Sequence, residues 1–135
     1  MHRAIRETEA ALQAADLGGD PVAALARLVE STWRVTFRYG ALIVAAERTL
    51  DPDDVVAAHS GPMAPVQRLF ERGRADGSFR ADLSAEWLVN VLHTMTHAVA
   101  GALYRGEIAD DDAPRLILAT MLGTVTPPGE PVPTV

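Results

Sequence analysis

Apolar residues recur three and four positions apart along nearly the whole chain, and glycine and proline break that rhythm at only a few places. A 3.6-residue period specifies amphipathic helices. The β-branched runs are short and lie inside this period, so no strand is expected. The pattern predicts an all-α fold, a bundle of six to seven helices with short loops. At 135 residues the chain supports one core. We place the domain at residues 1–126 and a proline-rich flexible tail at 127–135.

The punctuation sets the predicted boundaries. An alanine-rich helix over residues 3–17 carries only a thin stripe of Ile5, Leu12 and Leu17, and Gly18 and Gly19 stop it. Asp20 before Pro21 reads as a cap followed by a proline start. The next helix runs over 21–39, with Val22, Leu25, Ala26, Val29, Trp33, Thr36 and Phe37 on one face and Gly40 ending or kinking it. A short helix over 41–49, with Leu42, Ile43, Val44, Ala45 and Ala46, has no polar stripe and is expected to be buried on most sides. Asp51-Pro52 opens a helix to Asp76 that breaks at Ser60-Gly61-Pro62. Gly77 closes it, Ser84 caps a long helix to about Tyr104, and three aspartates at 110–112 precede a last helix over 113–125.

Composition removes several function classes. Net charge is −6, and all twelve basic residues are arginines scattered along the chain. Nucleic-acid affinity needs a basic face, so direct binding of DNA or RNA by this chain is not expected. The longest apolar run, residues 41–46, is far short of a membrane span, and the first residues carry glutamates rather than a signal core. We expect a cytoplasmic protein with no membrane partner. Without cysteine there is no disulfide, thiolate metal site or cysteine nucleophile.

The stretch from Leu69 to Leu83, with Gly73, Arg74, Ala75, Asp76, Gly77, Ser78, Phe79, Arg80, Ala81 and Asp82 at its centre and Ala85-Glu86-Trp87-Leu88 after it, resembles the C-terminal regulatory domain of the tetracycline-repressor (TetR) family of transcription regulators. The order of elements is similar from about residue 3 to residue 126. The residues also make physical sense alone: Gly77 accepts a left-handed conformation, Phe79 plugs the bundle, Arg80 and Asp82 can pair, and Ser84 starts the next helix. The resemblance implies a homodimeric domain that binds an unknown small-molecule effector. That effector would control DNA binding by an N-terminal helix-turn-helix absent from this sequence.

For the effector, which composition suggests is hydrophobic or amphipathic, the candidate residues are Trp33, Phe37, His59, Met63, Phe70, Trp87, Asn90, Thr94 and His97. They come from four helices and combine an apolar wall with a few polar groups. The two last helices are apolar on more than one side, which predicts a four-helix interface between two copies. Its candidate residues are Leu92, Met95, Thr96, Val99, Leu103, Ile117, Thr120, Met121 and Thr124. His93 and His97 have the i, i+4 spacing of metal ligands, but Thr94 stands where a zinc-protease glutamate would be. No metal, cofactor or enzymatic activity is predicted. The aspartates at 51, 53, 54 and 110–112 precede helices and read as caps and solvated charge. Two rival functions remain: a stand-alone helical protein that heterodimerises with a full-length regulator, and a metal-binding bundle using His59, His93 and His97.

Overall fold

The computed structural model describes residues 2–134; the side chains of residues 2, 41, 43, 44, 46, 47 and 55–62 fall outside the described residues. Five α-helices follow one another: α1 (His2–Ala15), α2 (Pro21–Thr49), α3 (Pro52–Asp76), α4 (Ala85–Tyr104) and α5 (Ala113–Val125), with a 3-10 turn at Asp110–Asp112. There is no strand among the described residues. The fold is all-α, as the periodicity predicts.

Asp20, Asp51 and Ser84 cap as expected, whereas Asp112 before α5 makes no side-chain cap and pairs with Arg115 at 2.7 Å instead. Asp20 Oδ2 accepts from the Ala23 amide at 2.9 Å, and Asp51 Oδ1 accepts from the Asp53 amide at 2.9 Å. Ser84 Oγ accepts from the Trp87 amide at 3.1 Å. Each satisfies an amide that the helix leaves without a partner. Gly77 ends α3 at φ 84°.

Two expected breaks are absent. The helices predicted over 21–39 and 41–49 are one continuous α2. Gly40 lies within it, facing α4; a Cβ there would sit 3.8 Å from Ala100 Cβ. An interior glycine costs a helix only about 1 kcal/mol, and contact along α4 outweighs that. The far end of α2 is also less buried than expected: Leu42 is 47% exposed and Ala45 is exposed. Likewise α3 runs unbroken through residues 60–62. The turns on either side carry it across, anchored at one end by the Asp51 cap and at the other by Val66, Leu69 and Phe70 in the core.

The core draws on every helix, with Leu25, Leu28, Leu69, Phe70, Phe79, Leu88, Ile117 and Met121 among its fully enclosed side chains. The first helix is fastened by arginines. Arg27 donates to the carbonyls of Ala15, Asp16 and Gly18 at 2.8–3.1 Å. Arg72 of α3 donates to the carbonyls of Leu17 and Gly19 at 2.6 and 3.1 Å. At the other end of α1, Glu7 accepts from the Tyr39 hydroxyl at 3.0 Å and from Arg38 at 3.1 Å. So α1 lies antiparallel on α2, clamped at both ends.

The Gly77–Leu83 corner is a structural lock. Phe79 turns back under α3, its ring 5.6 Å from that of Phe70. The Arg80 amide donates to the Val125 carbonyl at 2.6 Å, and its guanidinium holds Asp82 in two bonds of 2.7 Å. After α5 the tail makes a turn, with the Glu130 amide donating to the Pro127 carbonyl at 3.1 Å. Pro133 and Thr134 then come beside Ala26, Glu30 and Arg115, forming one wall of a surface groove of about 440 Å³.

Candidate functional site

A small cavity of about 60 Å³, partly open to solvent, lies where α1, α2, α3 and α4 face one another. Leu12, Leu28, Val66 and Val89 supply apolar wall, Met63 closes the α3 side, and Thr8, Thr32, Thr36, Thr96 and His93 are its polar groups. Each threonine sits on the inward face of its helix. Thr8 shares the face of Ala4, Leu12 and Ala15, all buried, and Thr32 follows Leu25 and Leu28 one turn on. Chain direction follows: residues 28–36 of α2 line this cavity with residues 89–96 of α4, and farther on Gly40 lies against Ala100, so α2 and α4 run in the same sense.

His93 connects this space to a second one. Its ring stands edge-on to that of His97, with centroids 4.3 Å apart and planes at 70°. His97 lines an outer groove of about 350 Å³ between the far ends of α2 and α4, together with Phe37, Gly40, Arg48, Tyr104 and Arg105. Arg105 lies back over Gly101, where a Cβ would be 3.1 Å from its guanidinium, and forks onto Glu107 at 2.6 and 3.0 Å. That fork is the main reason the Glu107 carboxyl lies below its usual range. No group of three His, Asp or Glu side chains suited to a metal occurs among the described residues.

The outer side of α4 and α5 is the other feature. Trp87 is 54% exposed and Leu116 39%. Asn90, Thr94 and Ala98 continue the stripe along α4, and Ala119, Thr120 and Gly123 along α5; all are exposed. Nothing lies within 4 Å of a Cβ built on Gly123.

Of the nine residues predicted for the effector, the structure brings Met63 to the small cavity and Phe37 and His97 to the outer groove. Trp33 and Phe70 are enclosed in the core, at 4% and 0% exposure. Trp33 packs there although its Nε1 donor has no partner among the described residues. Trp87, Asn90 and Thr94 point outward rather than between helices. His59 lies outside the described side chains. The residues predicted for the interface are divided among several environments. Leu92 and Thr96 line the small cavity, while Leu103, Ile117 and Met121 are buried in the chain's own core. Met95 and Val99 pack half-buried against that core, Thr124 is half-buried, and Thr120 is exposed. On α4, the face of Leu92 and Thr96 turns toward α2, and the face of Trp87, Asn90 and Thr94 is open.

Sequence reasoning missed Thr8, Thr32 and His93 as cavity residues. Their signal was present: threonine is a poor helix former, and here it recurs on inward faces that are otherwise aliphatic.

No family model, no curated protein and no solved structure matches this chain.

Proposed function

We propose that this chain is a small-molecule-sensing and dimerisation domain of the TetR-like kind, which controls a DNA-binding module joined to its N-terminal side. The observation that carries this reading is the open stripe of α4 and α5. Trp87 is half-exposed on α4 beside the exposed Asn90, Thr94 and Ala98, and Leu116 is exposed on α5 beside the exposed small residues Thr120 and Gly123. Small residues let helices approach closely, and an exposed aromatic is a usual anchor of an interface core. A second copy set about a two-fold axis would cover Trp87 and Leu116 of both chains at once.

The small cavity supplies the sensing half. It touches α1, and α1 is held to α2 and α3 by the buried face of Ala4, Leu12 and Ala15 together with polar clamps from Arg27, Tyr39 and Arg72. An occupant that favours one seating of α1 over another shifts the population of that seating. The displacement reaches whatever precedes His2.

Light scattering at micromolar concentration tests the dimer. The expected mass is twice 14.4 kDa, and Trp87→Glu combined with Gly123→Glu should halve it while circular dichroism stays helical. A wild-type monomer at 50-fold higher concentration overturns the reading.

A further inference from the structure

Three hydroxyls in the small cavity have already committed their only proton. Thr8 Oγ1 donates to the Ala4 carbonyl at 2.8 Å, Thr32 Oγ1 to the Leu28 carbonyl at 2.7 Å, and Thr96 Oγ1 to the Leu92 carbonyl at 2.7 Å. Each bond runs back one turn along its own helix. A hydroxyl has one donor and two lone pairs. With the proton spent, each oxygen offers only lone pairs to the cavity. Three separate helices, α1, α2 and α4, thus present acceptors to one space of about 60 Å³.

Charge is the second constraint. No arginine, aspartate or glutamate lines the cavity among the described residues. The Thr36 hydroxyl and the His93 ring complete the polar lining, so a carboxylate would set its lone pairs against those of three oxygens that have no proton to give. An ammonium ion would find acceptors but no counter-charge, and burying an unpaired ion is heavily penalised. A hydrocarbon, or a ketone with acceptors alone, would leave the Thr8, Thr32 and Thr96 oxygens without the bonds they make to water outside.

We propose that this cavity receives an uncharged hydrogen-bond donor, the O–H or amide N–H head of a small molecule. This names the effector class within the sensing reading and rests on it. The volume is about twice the ~30 Å³ of one liquid water and well under the ~150 Å³ cavity that admits benzene. It therefore suits a compact head group, with any longer body leaving between the helices.

Methyl NMR of the full chain reads occupancy at the threonine methyls directly. The probes are propan-2-ol, acetone, isobutyrate and isopropylammonium, which share one branched frame. Propan-2-ol is expected to move the Thr8, Thr32 and Thr96 methyl signals saturably, at concentrations roughly tenfold below those acetone requires, and neither ion is expected to move them. Thr32→Val and Thr96→Val each remove one oxygen and keep the branched shape. Each should weaken propan-2-ol by roughly three- to tenfold, the net worth of one hydrogen bond, and narrow its lead over acetone. The Ile117 methyl signal reports whether a variant keeps its core. If one variant unfolds, the other and the wild-type ranking still decide. Acetone or either ion matching propan-2-ol overturns the donor rule and leaves the sensing reading standing. Failure of every probe to reach the cavity overturns both.

Discussion

Gly73 and Phe79 occupy the same space: a Cβ on residue 73 would lie 2.1 Å from Phe79 Cδ2, and the Phe79 amide donates to the Gly73 carbonyl at 2.9 Å. The glycine is a slot in the side of α3 for the ring. Gly73→Ala improves helix propensity by about 1 kcal/mol but ejects or tilts a fully buried ring, and overpacking typically costs about 1–3 kcal/mol. The expected outcome is net destabilisation, read as a lower urea midpoint. A midpoint at or above wild type would show that the ring does not fill that slot.

Arg72 reaches across from α3 to the carbonyls that follow α1, at 2.6 and 3.1 Å. Arg72→Ala should cost about 1.5 kcal/mol, the low end for a charged donor because the side chain is half-exposed. Amide exchange should quicken in α1 before it quickens in α5. Uniform quickening in all helices would mean that Arg72 does not act as a local clamp.

Glu7 links α1 to α2, and its carboxyl is held below the usual glutamate value of 4.5 chiefly by the Tyr39 hydroxyl, with Arg3 and Arg38 adding to it. A depressed acid contributes stability that is present above its unfolded value and lost as pH falls through the folded one. Tyr39→Phe should therefore lower the melting temperature at neutral pH, and the gap should shrink as the pH falls below 4.5. An equal gap at neutral and acidic pH would remove Glu7 from the account.

Trp33 Nε1 is buried without a partner among the described residues. An orphan donor costs roughly 1–3 kcal/mol, so Trp33→Phe should lose much less than the about 3–5 kcal/mol expected for removing an aromatic entirely. The comparison is Trp33→Phe against Trp33→Ala in chemical denaturation. Equal losses would show that the indole nitrogen is satisfied in solution.

The features legible in the sequence are those that depend on near neighbours along the chain. Asp20, Asp51, Gly77 and Ser84 cap as their residue types predict, because a cap is a bond between positions two or three apart. The corner from Gly77 to Leu83 was readable for the same reason. Gly40 and the Ser60-Gly61-Pro62 stretch misled because local propensity argued for breaks worth only a few kcal/mol. Long helices packed along their length overcome such costs.

The sequence alone determined that this chain is helical, where most helices begin and end, and that α4 has more than one apolar face. Only tertiary structure decided which of those faces is covered. Periodicity treats the side of Leu92 and Thr96 and the side of Trp87 and Thr94 alike, since both repeat every three or four residues. The choice between them was made by α2, whose Thr32 and Thr36 lie more than fifty positions earlier and meet the first side in the folded chain. Burial is a property of what lies opposite, and no local pattern in α4 records its neighbour.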